Sequence, residues 1–189
     1  MVEGIGGFWA GVGAVARATV ACALVLSAIW KLRNARSFSI AFRESAPAFL
    51  RGFNQIARRA ISAIELLLAA GLLSPLAETA RPSAIAALVL ITSFMVALRK
   101  NRDPTAGCGC WRAVPGVDSR KPVFARNIIL LAAAALAAIR PLPAGMGLML
   151  FALVPGLALS FAIFEIPTFA AVLSGVLSAD ARAEGVREA

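Results

Sequence analysis

Two cysteines separated by a single glycine, Cys108 and Cys110, are the residues of this chain best suited to chemistry. Two thiols at this spacing can close a disulfide where the backbone turns tightly, and Gly109 eases that turn because it tolerates positive φ. The small ring is strained, so the bond is readily reduced, as suits a reactive disulfide. Arg112 and the other basic residues nearby favour the thiolate. The pair therefore predicts reversible thiol–disulfide chemistry.

The same spacing is also typical of half a metal site or of an inert turn. A closed zinc site needs about four ligands. The chain has no histidine, and its only other cysteine is Cys22. We therefore expect no metal, while a pair of inert loop thiols stays open as an alternative.

Three further residues are candidates for an intramembrane polar site: Cys22, Arg17 and Glu65. Cys22 is either a small apolar filler or a redox relay. Charged residues at membrane depth usually face the interior of a helix bundle. Arg17 and Glu65 differ in expected depth by about 6 Å of helix rise, which long side chains can bridge. The two residues are expected to form an ion pair that fixes helix packing, or Glu65 accepts protons or binds a polar cofactor head.

Long apolar blocks must position these residues. The chain is 60% hydrophobic with a mean hydropathy of +0.82, and a membrane-spanning helix needs about 20 mostly apolar residues. The blocks predict an all-α integral membrane protein, a four-helix transmembrane bundle plus a more peripheral fifth transmembrane helix. We expect one domain over residues 1–177 and a flexible tail over 178–189, with spans at about 9–30, 56–73, 83–98, 123–139 and 144–177.

Two details of these spans can be predicted from single residues. Ser74-Pro75 ends the second span, and a short link up to Pro82 makes the second and third spans an antiparallel hairpin. Arg126 lies near the start of the fourth span, where it is expected to extend its guanidinium to the membrane surface.

The basic residues are distributed unevenly between the two sides of the predicted membrane. The net charge is +9, and most of the Lys and Arg residues flank the apolar blocks. The linkers after the first and third spans carry nearly all of them, whereas the opposite side has Arg81 and Arg140. The positive-inside rule places both linkers, and with them the Cys108/Cys110 pair, in the cytoplasm. The expected partner of this surface is the lipid bilayer of the inner (plasma) membrane, and no nucleic-acid motif accompanies the charge.

Four segments together resemble one known family. Gly-Cys-Gly-Cys-Trp ends at Trp111 and is followed by a basic stretch and "ARNIILLAAAALA", while "KLRNARSF" and "RRAISAIELLLAAGLL" stand earlier in the chain. The chain is similar in these segments, from Val15 to Ile139, to the MauE/DoxX group of redox-associated membrane proteins. The family's usual "CGCFG" is Cys-Gly-Cys-Trp-Arg here, so that Arg112 stands where the family has glycine.

The resemblance implies a multi-span helical membrane protein that works beside a thioredoxin-like partner in maturing a disulfide-rich enzyme. It implies that Cys108 and Cys110 are the redox pair and that Glu65 is the helix carboxylate. Trp111 keeps the aromatic residue of the family's motif, and we expect Trp111 and Arg112 to support the loop. A quinone is implied as a second electron carrier. Two alternatives remain: a non-catalytic membrane assembly subunit, and a subunit of an oxidoreductase for a small sulfur compound.

Overall fold

The computed structural model describes the backbone of residues 2–36, 38–39, 42, 52–100, 120–139 and 146–187. Apart from short links such as residues 74–76, this part of the chain is helical and has no strand, which confirms the all-α prediction. Its five long helices, numbered here in chain order, are α1 (Val2–Arg33), α2 (Asn54–Leu73), α3 (Ala77–Lys100), α4 (Arg120–Ile139) and α5 (Met146–Arg187).

Three of these helices are long and apolar enough to cross a bilayer. The candidate spans are Gly7–Arg33 in α1, Ala77–Arg99 in α3 and Met146–Ile166 in α5. Val123–Ile139 in α4 is a shorter apolar stretch. The chain is therefore a helical membrane protein of the multi-pass type, and the outward faces of its helices carry large apolar side chains of the kind that lipid covers.

Helix α1 is the centre of the arrangement. It contacts α2, α4 and α5, while α3 contacts α2 and α4, so that α1 to α4 form a ring and α5 lies along α1 and α4. Small side chains let neighbouring backbones come close to α1, as in other membrane bundles. The buried alanines of α1 include Ala14, Ala18, Ala21, Ala23 and Ala28.

Helix α5 packs against α1 as extensively as α2 does, and the expectation of a peripheral fifth helix is wrong. The reason is a close approach at Gly156. A Cβ atom placed there would lie 2.6 Å from the Cβ of Ala18 and 2.9 Å from the backbone nitrogen of Thr19. Glycine opposite alanine brings the two helix backbones into direct contact, a feature that hydropathy does not reveal.

Helix α2 has one buried and one exposed face. Ser62, Glu65, Ala69 and Leu72 are buried, at spacings of three and four residues that place them on one side of the helix. Leu67, on the other side, is 72% exposed. The periodicity thus directs the only acidic residue of α2 into the bundle.

The α2–α3 hairpin is shorter than expected. Only residues 74–76 separate the two helices, and Pro82 lies inside α3 instead of ending the link. Pro82 has no N–H group, so the carbonyl of Glu78 lacks its intrahelical donor. Both residues are exposed, and the missing hydrogen bond is therefore outside the core. Gly71 completes the tight turn, because a Cβ there would collide with the Ser83 hydroxyl.

The C-terminal helix extends further than the sequence suggested. The backbone of α5 is helical to Arg187, beyond residue 177, where the transmembrane domain was expected to end. The flexibility of residues 178–189 stays a prediction.

Candidate functional site: a buried polar cluster

Glu65 forms a buried ion pair with Lys31. The Nζ atom of Lys31 donates to Glu65 Oε1 over 2.6 Å, and both side chains are completely buried. Ser27 joins them, since its Oγ accepts from Lys31 Nζ at 2.6 Å and donates to Glu65 Oε1 at 3.2 Å. Ser27 and Lys31 are one helical turn apart on α1, which places both on the face that meets α2. The three side chains form one charge-assisted hydrogen-bond network.

The partner of Glu65 is Lys31, so the expected pairing of Arg17 with Glu65 is wrong. Arg17 instead donates through Nε to the carbonyl oxygen of Leu72 at 2.9 Å, and through Nη2 to the carbonyl of Ser74. These carbonyls belong to the C-terminal end of α2, where helices leave carbonyls without an intrahelical donor. Arg17 therefore caps α2 at one end of the bundle, and Glu65 is bound nearer the other.

The direction of the side chains explains this outcome. Each Cα–Cβ bond of a helix tilts toward the N-terminus of that helix. Because α1 and α2 run antiparallel, Arg17 leans away from Glu65, whereas Lys31 and Glu65 lean toward each other. Arg17 and Lys31 are separated by about 21 Å of rise along α1. A comparison of depths alone, without side-chain direction, selects the wrong cation.

Two aromatic rings cover the cations of this cluster. Lys31 Nζ lies 5.0 Å from the centre of the Phe94 ring on α3. Arg126 on α4 has its guanidinium carbon 4.5 Å from the centre of the Phe164 ring on α5. Both distances lie within the range of cation–π attraction, which strengthens as water is removed. Arg126 is only 4% exposed, so the expectation that it extends to the membrane surface is wrong.

A small cavity lies between the helices at this point. Its volume is about 30 Å³, and it is partly open. All five helices contribute residues to its lining, among them the polar residues Ser27, Glu65, Arg126 and Asn127 and the aromatic residues Phe94 and Phe164. The remainder of the wall is aliphatic, from Val20, Ala23, Leu24, Ile91 and Leu130.

Of the three cysteines for which the sequence predicts a redox role, the structure describes only Cys22. Cys22 is a free, half-buried thiol on α1, and it is not among the residues lining the cavity. A relay role for Cys22 stays a prediction. Cys108, Cys110, Trp111 and Arg112 lie outside the described residues.

Sequence reasoning missed Lys31, Ser27, Arg126 and Asn127 as members of the site. Lys31 follows the first expected span directly, so its position in the sequence is that of a flanking basic residue at the membrane surface. Its position contains a signal, because residues 20, 24, 27 and 31 recur at the spacing of one helix face. Arg126 and Asn127 carry no comparable signal, since their burial depends on the ring that α5 supplies.

Comparison with known proteins gives one match. The family model described as "Methylamine utilisation protein MauE" matches residues 10–140 of the 189-residue chain. Neither a curated protein nor a solved structure matches the chain. The matched stretch includes the Cys-Gly-Cys sequence and runs from α1 to the end of α4, whereas α5, with Phe164, lies beyond it. The similarity to DoxX stays a prediction, and the chain belongs to the MauE family.

Proposed function

We propose that this protein is a membrane thiol–disulfide redox protein that exchanges electrons with a thioredoxin-like partner during the maturation of a disulfide-containing protein. The observation that carries the proposal is the family match over residues 10–140, which includes both Cys108 and Cys110. The description of that family places it in methylamine utilisation. We assign the redox step to the Cys108/Cys110 pair and leave its direction open.

The ends of the segment that carries the pair are close together, which supports an exposed loop at the membrane surface. Arg99, near the end of α3, has its guanidinium carbon 5.3 Å from the centre of the Phe124 ring, near the start of α4. Arg99 and Phe124, which lie on either side of the segment 101–119 in the sequence, are therefore neighbours at one end of the bundle. This is the same end of the bundle at which α1 finishes and Lys31 meets Glu65.

The proposed exchange conserves atoms and electrons. One thiolate of the Cys108/Cys110 pair attacks a partner disulfide, and the displaced partner sulfur leaves as a thiolate that takes up a proton. The second cysteine then attacks the mixed disulfide, releases the partner's other sulfur, and closes the Cys108–Cys110 bond. Two electrons and two protons reach the partner, and the reverse sequence reduces the pair.

The quinone implied by the resemblance does not fit the described cavity. A volume of about 30 Å³ accommodates a few water molecules and no six-membered ring with its substituents. We therefore derive no step through a quinone. Electrons enter or leave the pair through protein thiols in this proposal.

We further propose that α2 and α4 cross the membrane with α1, α3 and α5, in the plasma membrane, with the basic linkers in the cytoplasm. The support is the concentration of Lys and Arg in the linkers after α1 and α3. A membrane-impermeant maleimide should label Cys108 in inverted vesicles and not in intact cells. Labelling in intact cells would reverse the orientation.

Mass spectrometry of sequentially alkylated protein tests the redox assignment. Trypsin places Cys108 and Cys110 together in the peptide 103–112 and Cys22 in the peptide 18–31. Free thiols are blocked with a light reagent in acid-quenched membranes, and reduced disulfides are then labelled with its heavy form. The peptide 103–112 should carry two light or two heavy labels, and the ratio should change with the redox state of the cell.

Matched variants separate this proposal from its alternatives. Cys108→Ser or Cys110→Ser should abolish maturation of the disulfide-containing protein, and one of the two should accumulate a mixed disulfide. Cys22→Ser is the control and should retain activity. Wild-type maturation in the variant with both serines would contradict the proposal and favour an assembly subunit. Oxidation by a small sulfur compound without a protein partner would favour the oxidoreductase subunit.

A further inference from the structure

The cavity beside Glu65 is a feature that a fixed structural ion pair does not require. Ser27 and Lys31 both donate to Glu65 Oε1, and a purely structural pair is best served by dense packing around it. Here a cavity of about 30 Å³ adjoins the carboxylate. A single water needs roughly 10–15 Å³ on this measure, so the cavity has room for about two.

The wall of the cavity offers the hydrogen-bond partners that a buried water needs. A buried water makes about two to four hydrogen bonds, and dry cavities are lined by apolar groups alone. Most of the surface of this cavity is apolar, but four residues that carry hydrogen-bonding side chains, Ser27, Glu65, Arg126 and Asn127, are among those that line it. A carboxylate accepts up to about four hydrogen bonds, so water can bind to Glu65 in addition to Lys31 and Ser27.

The site is also close to the basic end of the bundle. Lys31 is in the last turn of α1, which ends at Arg33, so about 3 Å of helix rise separates its backbone from the end of α1. The cavity is partly open, and Phe94 is the one half-buried side chain in its described lining. We expect water to enter through this partly open side.

We propose that water occupies this cavity and exchanges protons with the Glu65 carboxylate, so that Lys31 and Glu65 form an intramembrane proton-binding pair. Hydronium in the cavity transfers its proton to Glu65, leaving a water molecule and a neutral carboxylic acid. Lys31 keeps its three protons and loses its charged partner. Proton binding thereby weakens the contact between α1 and α2. The proposal does not depend on the thiol chemistry above.

The groups around Glu65 decide whether a carboxyl signal from this site can be assigned to it. The charged groups of the site are Lys31 from α1 and Arg126 from α4, while α3 and α5 present the rings of Phe94 and Phe164. On α2 itself, Ser62 is the neighbouring buried polar residue. Glu65 is the one carboxylate among the described residues that line the cavity, so a carboxyl signal from this site belongs to it.

Infrared difference spectroscopy of the full chain in lipid vesicles tests the proposal. A protonated-carboxyl band should grow as the bulk pH is lowered, and it should be absent in Glu65→Gln. The control Glu78→Gln removes an exposed carboxylate on α3 and should leave the Glu65 band in place. On transfer to D₂O the band should shift within the mixing time, because cavity water reaches the carboxyl without unfolding. Should Glu65→Gln fail to fold, Glu65→Asp serves, since it moves the band instead of removing it.

Two results would overturn the proposal. The first is the absence of any Glu65-dependent band at every pH at which the protein stays folded. The second is a band that shifts in D₂O only as slowly as the backbone amides of α2 exchange. The first result would make the pair a fixed ion pair, and the second would show that the carboxyl is not in contact with cavity water.

Discussion

The Lys31–Glu65 pair predicts a specific pattern of stability in three variants: Lys31→Met, Glu65→Leu and the variant that combines them. Removal of one partner of a buried ion pair leaves an uncompensated buried charge, which lowers the free energy of unfolding by about 3–5 kcal/mol. Both side chains are completely buried, so this estimate applies without a discount for solvent screening. The combined variant removes both charges, and its free energy of unfolding should stay close to that of the wild type.

The cavity makes the two single variants unequal. Lys31→Met leaves Glu65 beside the second cation of the site, Arg126, so its loss should be near ~3 kcal/mol. Glu65→Leu leaves two cations and removes the only carboxylate of the described lining, so its loss should be near ~5 kcal/mol. Substitution of exposed charges, Arg33→Met and Glu78→Gln, should change the free energy of unfolding by no more than about 0.5 kcal/mol.

Tryptophan fluorescence during denaturant unfolding in mixed micelles measures these differences. The chain has three tryptophans, and one of them, Trp30, directly precedes Lys31. A loss of stability in the combined variant that is smaller than the sum of the two single losses would confirm the coupling. A combined variant whose loss equals the sum of the two single losses would refute the reasoning, because the two charges would then act independently. Equal losses in the two single variants would refute the contribution of the second cation.

Three further predictions concern the contacts around the site. Gly156→Ala places a Cβ 2.6 Å from α1 and should lower the free energy of unfolding by about 1–3 kcal/mol, whereas Gly147→Ala on the same helix meets nothing within 4 Å and should be neutral by thermal unfolding. Arg17→Met removes two hydrogen bonds to the last carbonyls of α2, each of which contributes about 1.5–3 kcal/mol to the free energy of unfolding. The variant should therefore show faster amide exchange at the α2–α3 hairpin. Unchanged exchange would contradict the capping role. Phe164→Ala removes the ring beneath the guanidinium of α4 and should lower Tm more than Phe169→Ala, whose ring is 69% exposed; equal shifts would exclude a specific cation–π contact.

Hydropathy and the spacing of polar residues were enough to predict the helical elements. The apolar blocks predicted the five long helices that the structure describes, though not the extension of α5 to Arg187, because a buried or lipid-covered segment must satisfy its backbone hydrogen bonds internally. The inward direction of Glu65 followed from the same reasoning, since a carboxylate on the lipid face of α2 would be costly. The close packing of α5 was not predictable, because it depends on glycine at one position and alanine on another helix.

The sequence by itself determined that charged residues meet inside a membrane bundle, and only the tertiary structure decided which ones. Arg17 and Lys31 are both basic residues of α1, and hydropathy favours the deeper Arg17 as the partner of an intramembrane carboxylate. The antiparallel packing of α1 on α2 turns Arg17 away from Glu65 and Lys31 toward it. Arg126 became part of the site for a similar reason, since a ring on α5 covers it. Composition and periodicity constrain each helix separately, whereas the site depends on the register and side-chain direction of several helices packed together.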